Sequence, residues 1–279
     1  MCRAPCQRLP GQPRSGGPRL LATCGALAVA VCAAAPSRAA DAFEIQVYDG
    51  TANHRGEVGL ETHLNFVASG LRAASPPEAP AHQQLHLTFE PSVGVTDFLE
   101  LGAYLQFARL ADGAFRYAGA KLRCKLVTPP GWHRSLRLGF NVELSVLPDT
   151  FDASRFGGEL RPIIAWEDDR LLLALNPNIG VSLARPGSAE GPGIEPGAMA
   201  KVKLFGGKVA AGLEYYADLG TFAGLVPFAS QGHTLYEAVD LLGLGPVDLN
   251  LGIGQGLTSA SNGFTVKVIV GLALGGKGR

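Results

Sequence analysis

The 279-residue chain balances 24 Lys and Arg against 24 Asp and Glu, and only 8% of its residues are aromatic. Four of its five cysteines, Cys2, Cys6, Cys24 and Cys32, fall before residue 40, so everything downstream holds Cys124 alone and excludes an internal disulfide framework. Residues 1–39 carry five arginines and no acid, which leaves 19 basic against 24 acidic residues in the remainder. That balance excludes nucleic acid as a partner.

Arg3, Arg8, Arg14 and Arg19 run into the apolar stretch from Leu20 to Ala35, after which Pro36 breaks the helix. Ser37, Arg38 and Ala39 then place small residues at the −3 and −1 positions of a cut before Ala40, with a cut one residue later as an alternative. This is the pattern of a cleavable export signal. The apolar stretch is shorter than the ~20 residues that span a bilayer, and Thr23 and Val31 precede cysteines where lipidation requires a smaller residue. The expected organisation is a signal peptide over 1–39, an N-terminal periplasmic segment over 40–55, a barrel over 56–274 and a tail over 275–279.

From residue 56 onward the sequence alternates with period two, the signature of strands with one apolar face. In 56–69, Val58, Leu60, Leu64 and Phe66 oppose Glu57, Glu61, His63 and Asn65. In 83–94, Leu85, Leu87, Phe89 and Val93 oppose Gln84, His86, Thr88, Glu90 and Ser92, and in 98–109 the polar face carries Glu100. Lys121, Arg123 and Lys125 form a basic stripe on strand 115–127, opposite Ala120, Leu122, Cys124 and Leu126. Strand 134–147 sets Arg137, Asn141 and Glu143 against Leu138, Phe140, Val142 and Leu144. The remaining strands are 157–167 (polar Glu159 and Arg161), 170–184, 195–205 (Lys201 and Lys203), 208–217 (Glu214), 233–243, 247–256 (Asp248) and 263–274 (Lys267).

Strand length selects the environment. Most of these segments are well above the ~5–6 residues of a soluble strand and meet the ~9–11 of a tilted membrane strand. Connections after even-numbered strands, such as Val95-Thr96-Asp97, Asp168-Asp169 and Gly206-Gly207, are short; those after odd-numbered strands are longer, except 110–114. An even strand count with alternating loop lengths puts both termini in the periplasm. The expectation is an all-β fold, a single antiparallel transmembrane β-barrel of about 12 strands, in the bacterial outer membrane. A soluble sandwich or barrel shares the alternation, but the interior of about twelve strands is too wide for an aliphatic filling. Trp132, Trp166, Tyr215, Phe107 and Phe264 are the candidates for interfacial girdles, and the chain ends Leu274-Gly-Gly-Lys-Gly-Arg279 without the terminal aromatic read by the barrel-assembly machinery.

Phe43-Glu44-Ile45-Gln46-Val47-Tyr48-Asp49-Gly50, followed by Gly59-Leu60-Glu61-Thr62-His63-Leu64-Asn65 and by Glu90 to Gln106, resembles a group of uncharacterised proteobacterial outer-membrane barrels. These are transporter-like and loosely similar to the family named after the meta-cleavage pathway of phenol degradation. The resemblance implies a barrel and no catalytic motif, so no site residue follows from it.

A search for chemistry yields little. His82 and His86 share a strand face with no carboxylate nearby except Glu90, and neither a metal nor a cofactor is expected. His133-Arg134-Ser135 sits in a periplasmic turn, away from the outer-leaflet depth of lipid-modifying barrel enzymes; that reading would require an activity lost in Ser135→Ala. The glycine-bearing stretches 252–256 and 271–275 open no helix and lack the Lys-Ser/Thr of a phosphate loop. What remains is a lumen wall of mixed sign: Glu61, His63, His86, Glu90, Glu100, Lys121, Arg123, Lys125, Arg137, Glu143, Arg161, Lys201, Lys203, Glu214, Asp248 and Lys267. The basic stripe either focuses field on small anionic or aromatic solutes or pairs with Glu100, Glu143 and Glu159 to stiffen the barrel. The two functional readings are a passive channel or uptake porin, screened by loops such as 218–232, and a closed structural or binding barrel. The expected partners are outer-membrane lipid, the assembly machinery and a small solute.

Overall fold

The computed structural model describes residues 41–184 and 191–274. The expected signal peptide and C-terminal tail lie outside these residues. The strands are β1 (Val58–Ser69), β2 (Leu85–Thr96), β3 (Leu99–Arg109), β4 (Phe115–Val127), β5 (Leu136–Val146), β6 (Phe156–Glu167), β7 (Leu171–Ser182) and β8 (Gly193–Leu204). They continue with β9 (Val209–Asp218), the two-residue β10 (Gly220–Thr221) and β11 (Gly224–Leu225), β12 (Gly232–Leu244), β13 (Val247–Gly256) and β14 (Phe264–Leu274). Apart from the short β10 and β11, every strand pairs antiparallel with a neighbour on each side, and pairings β1–β14 and β8–β9 leave no open edge. The result is a closed barrel of twelve long strands, each within two residues of its expected start.

Closure pairs each long strand with a neighbour on both sides, which is the condition for placing strands in hydrocarbon. The two faces of each strand then divide by polarity. Leu122 and Leu144 point outward at 66% and 57% exposure, whereas His63, Asn65, Gln106 and Asn141 point inward at 0%. An apolar exterior around a polar interior is the reverse of a soluble barrel, so the exterior is a lipid-facing surface. Strands of about 12 residues at ~3.3 Å each and a tilt near 40° stand about 30 Å tall, enough for the ~25 Å apolar band of such barrels.

Aromatic side chains mark both rims. Phe107 stacks on Phe115 at 5.6 Å and meets Tyr117 edge-on at the rim of the longer loops, while Trp132 and Trp166 flank His133 at the rim of the short turns. The short turns are built by side-chain acceptors: the Asp168 carboxylate takes the N–H groups of Arg170 and Leu171, which hold its pKa below the usual carboxylate value. Asp97 is lowered in the same way, chiefly by the N–H of Arg55.

Residues 41–50, the first part of the segment before β1, run through the barrel interior, and residues 51–55 lie at the short-turn rim. Phe43 packs edge-on against His86 of β2, the Tyr48 hydroxyl meets Tyr104 of β3, the Ile45 carbonyl accepts Lys267 of β14, and Asn176 of β7 brackets the Tyr48 backbone. Contacts with strands all around a closed ring are possible only from inside it. The segment leaves at the short-turn rim, where Asn53 and His54 lie against Gly94; a Cβ there would sit 2.1 Å from the His54 carbonyl oxygen, so only glycine admits the crossing.

Candidate functional site

The lumen is the candidate site, and its centre is the N-terminal segment. Phe43, Ile45 and Val47 alternate with Glu44, Gln46 and Tyr48, so the segment is itself an extended chain with two unlike faces. Ile45 and Val47 belong to a buried apolar cluster with Ala165, Leu172, Ala174, Met199, Tyr216 and Tyr236. Phe43 closes the opposite end of the segment with Ala108, Ala118 and Phe151, beneath the long loop that follows β5. The Tyr236 ring lies flat across β13 because Gly254 has no side chain; a Cβ would come within 2.3 Å of it.

The other face of the segment meets charge. Arg161 Nη1 lies 3.1 Å from Glu44 and its Nε 2.5 Å from Glu159. Lys121 Nζ reaches Asp41 at 2.6 Å, Glu143 at 3.2 Å and Glu44 at 3.6 Å. Arg123 bridges Glu90 and Glu100 at 2.6 Å each, and Lys125 joins Glu100 at 2.9 Å. The Tyr48 ring sits among these cations, with the Arg161 guanidinium 4.3 Å and the Lys125 ammonium 5.2 Å from its centroid. Its hydroxyl donates to Glu44 at 2.9 Å and lies 2.8 Å from that of Tyr104. Lys125, Glu159 and Asp41 are the more exposed of these groups and the rest are deeply buried. Each of these buried charges is offset by an opposite charge within 4 Å, the condition for a buried ion pair to repay its desolvation.

A second polar group stands across the lumen. Lys201 Nζ lies 2.8 Å from both Glu214 and Asp240, and Lys267 Nζ lies 2.5 Å from Glu214. Between this group and the segment lies a cavity of about 210 Å³, lined by Gln46, Tyr48, Glu61, Arg123, Lys201, Asp240 and Asp248 among others. At the short-turn rim, Arg137 pairs with Asp49 at 3.5 Å and Glu167 at 2.5 Å, and Lys203 joins Glu167 at 2.6 Å.

The sixteen residues read as lumen-lining thus all face the interior, in three groups. Glu90, Glu100, Lys121, Arg123, Lys125, Glu143 and Arg161 interlock around Tyr48, with Glu61, His63 and His86 beside them; Lys201, Glu214, Lys267 and Asp248 lie across the cavity; Arg137 and Lys203 stand at the rim. The sequence reading missed the residues of the segment itself, Asp41, Glu44 and Tyr48, and also Tyr104 and Asp240. His133 has a local role: its Nδ1 accepts the backbone N–H groups of Ser135 at 3.1 Å and Leu136 at 2.9 Å, which shapes an exposed turn.

No family model and no curated protein matches the sequence. Among solved structures, an outer-membrane channel from Pseudomonas putida F1 superposes with a TM-score of 0.58 at 13% identity, covering 83% of this chain and 100% of that one. The KdgM porin superposes with a TM-score of 0.51 at 10% identity, covering 78% and 99%. The fold is an outer-membrane β-barrel. At such identities the likeness speaks for architecture alone, and the short turns, girdles and lipid-facing exterior agree with it.

Proposed function

We propose that the protein is a passive outer-membrane channel for small polar solutes, held at low conductance by residues 41–55. The observation that carries this reading is the cavity beside the segment: next to the packed segment the interior holds a space of about 210 Å³ lined by charged groups such as Glu61, Arg123, Lys201 and Asp240 together with Val47, Leu172 and Met199. The shared fold with an outer-membrane channel and a porin supports it, as does the resemblance of residues 43–50, 59–65 and 90–106 to transporter-like barrels. The basic stripe is not free charge, because Lys121, Arg123 and Lys125 are each matched by carboxylates. Selectivity for anions on that account loses its basis, and weak ion selectivity is the expected behaviour.

The closed-barrel reading has an observation of its own, the dense pairing around Tyr48. Single-channel recording of the refolded mature chain in a planar bilayer, beside a variant lacking residues 41–54, separates the two. A small conductance that rises several-fold in the deletion supports the channel with an internal restriction. An inserted deletion variant that stays silent refutes the channel.

A further inference from the structure

The register of β1 and β2 sets Glu61 directly opposite Glu90. Two like charges facing each other across a ladder repel, so each needs its own answer. Glu90 has one: Arg123 Nε lies 2.6 Å from its Oε1. Glu61 has no Lys or Arg partner among the described residues; it has the Gln46 carboxamide at 3.2 Å and His63 Nε2 at 3.7 Å.

His63 lies two residues beyond Glu61 and therefore on the same inward face, with Nε2 also 3.2 Å from Glu90 Oε2. One imidazole nitrogen and one oxygen from each carboxylate thus converge, all three within 4.8 Å of one another. Ligand atoms bound ~2.0–2.1 Å from a tetrahedral Zn²⁺ stand about 3.3–3.4 Å apart; the His63 separations of 3.2 and 3.7 Å bracket that spacing, and the two carboxylate oxygens lie within 4.8 Å of each other.

A second observation points the same way. Gln46 Oε1 is buried without a hydrogen-bond partner although its carboxamide already touches Glu61. Rotation of the carboxamide exchanges donor and acceptor, which turns that oxygen toward the cluster. Gln46, Glu61 and Glu90 also line the cavity, so an ion and a water ligand have a path in.

We propose that Glu61, His63 and Glu90 bind a divalent cation of the Zn²⁺ class, with Gln46 or a cavity water as the fourth ligand. Imidazole with single carboxylate oxygens suits such an ion better than Mg²⁺ or Ca²⁺, which favour all-oxygen shells. The neighbouring Arg123, which lies 2.6 Å from Glu90, opposes the added charge and weakens binding. Through Gln46, the ion ties the N-terminal segment to the barrel wall.

Equilibrium dialysis of the refolded mature chain against Zn²⁺, followed by elemental analysis, tests the site. Each sample is first shown to be a folded barrel by heat-modifiable electrophoretic mobility. One ion per chain is expected, retained against excess Mg²⁺ and held at least ~10-fold more weakly in His63→Ala and in the near-isosteric Glu61→Gln. His54→Ala, which removes the exposed His54–Asp97 pair at the rim, leaves binding unchanged. Absence of stoichiometric binding by the folded chain, or binding undiminished in both His63→Ala and Glu61→Gln, overturns the proposal.

Discussion

The two faces of the N-terminal segment are held by different physics. Ile45 and Val47 rest on Ala165, Leu172, Ala174 and Met199, a contact whose strength scales with buried area and has no preferred direction. Glu44 and Tyr48 engage Arg161, Lys121 and Tyr104 through directed contacts at 2.8–3.6 Å, which fail if the segment slides by one residue. The apolar face supplies most of the holding force and the charged face supplies the position.

Three substitutions sharpen that division. Ile45→Asp has the largest effect, because an unpaired carboxylate against the apolar cluster costs about 3 kcal/mol or more. The loss is capped by the docking energy of the segment, since the segment can leave while the ladder stays intact. The expected result is a high-conductance state and new protease cleavage within residues 41–55, with the barrel still heat-modifiable. Glu44→Gln comes next. It leaves Arg161 with Glu159 and Lys121 with Glu143, so the cost is about 1–3 kcal/mol, read as flickering between conductance levels without full release. Tyr48→Phe is the mildest, at about 1 kcal/mol for one hydroxyl, and the stacking beneath Arg161 persists. A larger effect from Glu44→Gln than from Ile45→Asp would invert the assignment of force and position.

The barrel was legible because its signal repeats. Twelve alternating segments and the alternation of turn lengths each constrain the same answer, and they placed Leu122 and Leu144 outside and Asn141 and Glu143 inside. The pairing alternative for the basic stripe also follows from register, since Arg123 lies opposite Glu143 on β5 and Gly102 on β3, next to Glu100. The internal segment was not legible in the same way. Phe43 to Tyr48 alternates too, yet it forms no ladder with a neighbour in sequence, and its partners come from strands up to 222 residues away, as with Ile45 and Lys267. The Glu61–His63–Glu90 cluster was missed for a related reason: a search along one strand finds His82 and His86, whereas these side chains meet only when β1 is laid beside β2.

The short link between the segment and β1 has a kinetic meaning. Asn53, pinned to Glu100 and Ser92, stands five residues before Val58. A tether that short holds a displaced segment at an effective concentration in the millimolar range. Re-entry is then intramolecular and fast. On the proposed channel reading, a solute crosses against a resident competitor that never diffuses away, and residues 41–55 set the lifetime of each open interval.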